Sequence, residues 1–158
     1  MSKIVPMAII KLGGRALEEE FLRRTFAAEL RSLTGIWRLI VVHGGGPEVT
    51  AVSRRLGHST HFRDGIRITS AEEMEVVDMV LAGSANKRLV RALCAAGVHA
   101  VGLCGSDGPT LTAQPKTVPS GTRTGEIRSV DTRLLFTLMA AGFVPVVSPV
   151  CDDGAGGG

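Results

Sequence analysis

Two short segments of this sequence combine residue types that hold anions: Lys11-Leu12-Gly13-Gly14 and His43-Gly44-Gly45-Gly46-Pro47. Each closes an apolar run and precedes a run with helical spacing. Glycine leaves backbone N–H groups uncovered at such a junction, and the positive end of a helix dipole favours an anion there. Lys11 adds a mobile positive charge to the first turn. Two such cradles imply two anionic groups held near each other, which points to phosphoryl transfer. A third feature is Arg67, whose planar fork suits a carboxylate. With Asp64 close in sequence, Arg67 also fits a surface ion pair. His43 orients the glycine loop or packs beneath it.

The elements that must position these residues are readable from periodicity. Val5 to Lys11 is a buried-strand run, and Ala16 to Leu33 carries Leu17, Phe21, Leu22, Phe26, Ala27, Leu30 and Leu33 on one helical face. Gly35 is expected to end that helix as a left-handed cap. Trp37 to Val42 forms the second strand. Pro47 suits the first turn of a helix that runs to Leu56 and stops at Gly57. Residues 61–69 read as a hairpin with Asp64-Gly65 at its turn. Thr69 and Glu72 have the spacing of a capping box, followed by helix from Ala71 to Leu81 and from Asn86 to Ala96, with a break or kink at Gly83. Val98 to Leu103 is another strand. Pro109 to Ile127 is a hairpin with Pro119-Ser120-Gly121 at its tip, Asp131 caps a helix to Ala141, and Phe143 to Val147 is the last strand. Asp107-Gly108 is a turn, and Asn86-Lys87 is helix structure. Strands alternating with helices of this length predict an α/β fold: a mostly parallel sheet sandwiched by helices, with hairpin insertions and ligands at the strands' carboxyl ends.

Composition narrows the function classes. At 158 residues the chain can bury one sizeable core. No apolar run approaches the roughly 18 residues of a membrane span, and no signal pattern opens the chain, so a cytoplasmic location is expected. The net charge of +3 is small and dispersed, and aromatics make up only 4%, which argues against a nucleic-acid partner. Three cysteines make neither a CxxC pair nor an even disulfide set. Cys94 falls on an apolar helical face and Cys104 ends a strand, so both read as buried, reduced thiols. His58 and His61 lack a nearby carboxylate or thiolate partner, so no metal site is expected.

The order Ile10-Lys11-Leu12-Gly13-Gly14, Val42-His43-Gly44-Gly45-Gly46-Pro47, Phe62 to Thr69, Glu75-Val76-Val77 with Leu81-Ala82-Gly83 and Asn86-Lys87, then Val101-Gly102-Leu103 and Asp107-Gly108, resembles the amino-acid kinase superfamily. Within it the chain is most similar to the N-acetylglutamate kinases, over residues 8 to about 150. The resemblance implies transfer of a phosphoryl group from ATP, with Mg2+, to the side-chain carboxylate of N-acetyl-L-glutamate, a step of arginine biosynthesis. A carboxylate is already a nucleophile at neutral pH, so the site must mainly offset repulsion between two anions. The resemblance assigns Lys11 as transition-state stabiliser and, with Gly13 and Gly14, to the phosphates. It assigns Gly44, Gly45 and Arg67 to the acceptor, Arg67 taking its α-carboxylate. It also implies a homodimer through the helix near Met74 to Leu81, whose apolar stripe is wide.

A second half found in family members, with the main nucleotide pocket, is not in these residues. Residues 1–150 are therefore expected to be an amino-terminal acceptor-binding and dimerisation domain, and the glycine-rich stretch 151–158 a disordered tail. Little activity is expected from this chain alone, with ATP and Mg2+ bound mainly by the other half; a truncated gene product, a fragment and one piece of a split enzyme with a separate carboxy-terminal half stand as the alternatives. No mobile helix precedes the first strand, which in this family argues against feedback inhibition by arginine. Two alternatives stand beside this reading. One is a related carboxylate kinase with an aminoadipate-type or carrier-attached acceptor; the other is a non-catalytic binding or subunit-interaction module. Neither turn has the G-x-G-x-x-G or G-x-x-x-x-G-K-[ST] pattern, which excludes a dinucleotide dehydrogenase and a Walker-type NTPase.

Overall fold

Apolar β-rich runs bounded by glycine turns become the strands of one parallel sheet. The computed structural model describes residues 5–115 and 122–158. Strands β1 (Met7–Leu12), β2 (Arg38–His43), β5 (Ala100–Cys104) and β8 (Val144–Ser148) pair in the order β1-β2-β8-β5, every neighbour parallel. Two antiparallel hairpins stand apart from it, β3 (His61–Arg63) with β4 (Ile66–Ile68), and β6 (Leu111–Pro115) with β7 (Gly125–Val130). The α/β architecture with hairpin insertions is thus the one the spacing predicts. The expected hairpin tip, Pro119 to Gly121, lies outside the described residues.

Helices cover the sheet unequally. α1 (Gly14–Glu18), α2 (Glu20–Leu33) and α5 (Asn86–Ala95) pack on one face, burying Leu17, Leu30, Leu39, Val41, Leu89 and Leu93 in the main core. The opposite face packs Ile40 and Val147 against Leu135 and Met139 of α6 (Arg133–Ala140). A third cluster joins Val49 of α3 (Gly46–Arg55) to Val76, Val80, Leu81 and Val150, beside the carboxyl ends of the strands. Strand alternation turns Ala8, Ile10 and Leu12 of β1 inward and leaves Met7, Ile9 and Lys11 exposed.

Several local expectations are corrected. The first helix breaks at Glu19, which is extended; Arg23 Nη1 donates to the carbonyls of Leu17 (2.6 Å) and Glu18 (3.3 Å) at that break. The capping box is Ser70 with Glu73, not Thr69 with Glu72, and it opens α4 (Ala71–Val77). Helix does not stop at Gly83: a π-helical segment, Asp78–Ala85, carries it from α4 into α5. Gly35 is not left-handed; α2 ends through Thr34, with the Ile36 and Trp37 amides donating to the Leu33 carbonyl. Thr132 takes the cap position of α6, although Asp131 Oδ1 still accepts from the Arg133 amide at 3.0 Å. Phe21 is 77% exposed rather than on the packed face, and Cys94 is exposed rather than buried. The stretch expected to be unstructured at 151–158 folds back: Asp152 bridges Thr112, and Asp153 caps the Ala155 and Gly157 amides.

Candidate functional site

The two glycine turns meet because β1 and β2 are neighbours in register, Leu12 beside His43. The Gly44 amide donates to the Leu12 carbonyl at 3.2 Å, and a Cβ on Gly14 would lie 3.2 Å from Pro47 Cδ and 3.6 Å from Gly45 Cα. Gly45 is also tightly approached, since a Cβ there would stand 2.7 Å from Leu81 Cδ2. The second turn opens the ten-residue helix α3, with Pro47 in its first turn, as expected. The first turn opens a helix of only five residues, so little dipole stands behind Gly13 and Gly14. Lys11 is exposed at the end of β1 and makes no hydrogen bond or ion pair among the described residues.

Arg67 is carried by β4 over the head of α3. Its Nη2 donates to the Gly46 carbonyl at 3.1 Å and, in a short hydrogen bond, to Thr50 Oγ1. The guanidinium carbon lies 4.8 Å from the centre of the Phe62 ring, a cation–π contact across the hairpin. Nη1 is buried and has no hydrogen-bond partner among the described residues. Burial pushes the Arg67 guanidinium down from its ordinary range, and Glu73 pushes it back up. No ion pair with Asp64 forms, so the surface-pair alternative does not describe this arginine.

Arg67 faces a cavity of about 440 Å³. Val49, Met74, Val77, Leu81 and Ile127 give it an apolar wall; Arg67, Arg123 and Asp153 give it charge, the latter two paired at 3.6 Å. Gly46 lines this cavity, but Lys11, Gly13, Gly14, Gly44 and Gly45 do not. The structure therefore gathers Gly13, Gly14, Gly44, Gly45 and Arg67 around the ends of β1 and β2, with Lys11 on the exposed side of β1. The stripe near Met74 to Leu81 divides by role. Val76, Val80 and Leu81 pack in the third cluster, Met74 and Val77 border the cavity, and Met79 is the member left largely exposed, at 57%.

Sequence reasoning missed Thr50, Arg123 and the partners beneath His43. Thr50 lies one helical turn beyond Gly46, a signal available only once Arg67 is known to reach α3. His43 is buried, with Nδ1 2.9 Å from the Gly44 carbonyl and Nε2 3.0 Å from Asn86 Nδ2. Desolvation lowers its pKa, against the opposing pull of the Gly44 hydrogen bond and the Glu48 charge. Asp107, read as a turn residue, is one: its Oδ2 accepts from the Cys104 amide at 2.8 Å. Among the described residues no group of three His, Cys, Asp or Glu side chains is placed to hold a metal, and no helix is long and apolar enough to cross a membrane.

Residues 6–157 match the amino acid kinase family. Curated relatives named acetylglutamate kinase include those of Synechocystis sp., 40% identical over 92% of this chain and 49% of its own length, and Rubrobacter xylanophilus, 43% identical over 90% of this chain and 54% of its own. The chain spans about half the length of these relatives. Among solved structures, N-acetylglutamate synthase from Neisseria gonorrhoeae, complexed with coenzyme A and N-acetyl-glutamate, superposes with a TM-score of 0.77 at 28% identity, covering 96% of this chain and 35% of that one. The smu.665 protein of Streptococcus mutans has the same fold, with a TM-score of 0.79 at 20% identity over 90% of this chain and 58% of its own.

Proposed function

The chain belongs to the amino acid kinase family, and from that premise we propose that it forms the acceptor-binding part of an acetylglutamate kinase. The observation that carries this reading is Arg67 with its unpartnered, buried Nη1 beside an apolar-walled cavity. A buried guanidinium nitrogen without an acceptor is costly unless an anion completes it, and a carboxylate matches its fork. The apolar wall suits the methylenes and acyl group of N-acetyl-L-glutamate, while free glutamate would bring an uncompensated ammonium against it. The names of the curated relatives support the same acceptor.

In this reading Arg67 takes the α-carboxylate and directs the side-chain carboxylate toward the second glycine turn, where Gly44 and Gly45 leave the main chain bare. Lys11, with Gly13 and Gly14, belongs to the transferring phosphoryl group and neutralises charge as it moves. The Lys11 ammonium, without a partner among the described residues, and the open space above Gly13 fit that role. ATP with Mg2+, when bound, supplies the phosphoryl group and screens its charge. On this chain Lys11 and the backbone amides of the first turn are the groups that face the nucleotide in this reading. Residues 1–150 then act as the acceptor-binding and dimerisation domain of a cytoplasmic homodimer, working with a nucleotide-binding half like that of its relatives.

The test is calorimetry of the chain with N-acetyl-L-glutamate, glutamate and aminoadipate, together with hydroxylamine trapping of acyl phosphate in the presence of ATP and Mg2+. Heat with N-acetyl-L-glutamate alone, abolished by Arg67→Ala, is the expected outcome. Preference for aminoadipate would move the chain to another carboxylate kinase. Silence toward all three would overturn the acceptor role. Acyl phosphate formed by this chain, and lost in Lys11→Ala, would show that it completes the nucleotide site unaided.

A further inference from the structure

Beneath the second glycine turn lies a polar side chain in a position that packing alone would fill with leucine. Asn86 is completely buried at the start of α5. Its Nδ2 lies 2.9 Å from the Val146 carbonyl of β8, 3.0 Å from His43 Nε2 of β2 and 3.3 Å from the Leu103 carbonyl of β5, so its two N–H groups are shared among three neighbours and the longest contact is the bifurcated one. One amide thus ties three parallel strands together at their carboxyl ends. The π-helical segment ends just before it and sets the register that puts Leu81 on Gly45 and Asn86 under His43. Strand β5 must be bare where the amide crosses it: a Cβ on Gly102 would lie 2.0 Å from Asn86 Oδ1.

The network dictates the state of the imidazole. The strand carbonyls can only accept, so the atom of Asn86 facing them and His43 is its NH2. His43 Nε2 must then accept, which leaves the proton on Nδ1, and Nδ1 donates it to the Gly44 carbonyl. A second proton on the ring would set N–H against N–H. The Gly44–Gly45 peptide is planar and trans, so its carbonyl and its N–H point in opposite directions. With the carbonyl drawn down onto His43, the Gly45 N–H is turned away from the strand. It makes no hydrogen bond among the described residues.

We infer that His43, held neutral and as the Nδ1–H tautomer by Asn86, is a positioning residue that fixes the Gly44–Gly45 peptide so that the Gly45 amide is presented to the anionic acceptor. The acceptor's identity rests on the reading above; the orientation of the peptide does not. His43 does not line the cavity, and acts through the main chain. The charged group whose field reaches it is Glu48 on α3, which favours the imidazolium, whereas burial and Asn86 oppose it.

Two substitutions in the full chain separate positioning from strand pinning. His43→Asn keeps a donor where Nδ1 stands and gives up the bond to Asn86. His43→Gln keeps an acceptor where Nε2 stands and loses the donor to Gly44. Positioning predicts that His43→Gln weakens N-acetyl-L-glutamate binding about tenfold, that His43→Asn stays within about threefold of the parent, and that both melt cooperatively. The reverse order would show that His43 serves only to pin strands and would overturn the inference. Imidazole 15N spectra of the parent chain are expected to show Nδ1–H and a bare Nε2 at neutral pH; the other tautomer or an imidazolium overturns it as well. If the parent does not bind N-acetyl-L-glutamate, the acceptor reading fails. The amide resonance of Gly45 then decides, since it should move in His43→Gln and hold in His43→Asn; no movement in either ends the proposal.

Discussion

The two glycine turns sit side by side at the ends of neighbouring strands, yet they are built differently. The second is supported chiefly at Gly45 and at its two flanks. His43 and Asn86 support it from below, Leu81 presses on Gly45, Arg67 reaches the Gly46 carbonyl, and a ten-residue helix stands behind it. The first has a bare Gly13 with no atom within 4 Å of a notional Cβ, a five-residue helix and an unpaired Lys11. The contrast separates two kinds of anion site. A turn anchored by a buried His43 and Gly45 suits an acceptor that must be recognised by shape and held at a fixed angle. An open turn with a mobile cation suits a phosphoryl group that arrives with its own nucleotide and metal and changes charge distribution as it moves.

The largest expected effect falls where the second turn meets Arg67. Arg67→Ala should weaken N-acetyl-L-glutamate binding by about a hundredfold or more, because truncating one partner of a buried charged pair costs roughly 2–5 kcal/mol. Arg67→Lys should recover little of this, since a single ammonium lacks the planar fork by which Nη2 holds Gly46 and Thr50 while Nη1 is left for a carboxylate. Titration calorimetry checks both, and a wild-type-like Arg67→Ala would detach the arginine from the acceptor. The next effect is on stability. Gly45→Ala forces Cβ toward Leu81 and should cost about 1–3 kcal/mol in urea unfolding. Gly45→Ala with Leu81→Ala should then cost less than the two single costs added. Gly13→Ala, in extended backbone with open space around it, should cost only the difference between Gly and Ala at the cap of a five-residue helix, about 0.5–1 kcal/mol. Equal costs at the two glycines would abolish the contrast.

Most of what places these turns was legible because it is local. Short apolar runs closed by glycine became parallel strands, and an Asp-Gly turn between β-formers became a hairpin, with Asp64 at φ 51°. The errors came where two local signals competed and tertiary contacts chose. The run Thr69-Ser70-Ala71-Glu72-Glu73 contains two capping boxes, and the first is unavailable because Thr122 Oγ1 accepts from the Thr69 amide at 3.1 Å and the Thr69 hydroxyl lies 3.4 Å from Thr124 Oγ1. Gly83 is a helix breaker by propensity, but the flanking Val80, Leu81 and Ala85 are buried, and the helix widens instead of stopping. The motif around Arg67 identified the arginine; its bonds to Gly46 and Thr50, across 21 and 17 residues, leave no trace in spacing. Asn86 looked like ordinary helix for the same reason, since all its partners lie on strands distant in sequence.

A last expected effect tests the support beneath the second turn by acidity. Burial holds His43 below its ordinary pKa, so near neutral pH and below, the unfolded chain takes up a proton that the native chain refuses. Stability that is full above the unfolded value of about 6.5 is therefore lost as pH falls, with a slope of at most about 1.4 kcal/mol per pH unit. Asp78 acts with the opposite sign, because burial raises its carboxyl and the native chain holds that proton longer as pH rises. Comparing the parent with His43→Asn at each pH cancels Asp78 and isolates the imidazole. The urea midpoint of the parent should fall between pH 7.5 and 5.5 by more than that of His43→Asn, while Lys11→Ala, at the unsupported turn, should follow the parent throughout. Parallel curves for the parent and His43→Asn would mean that the imidazole takes its second proton in the native state. Donor would then face donor at Asn86, and the second turn would be no more firmly held than the first.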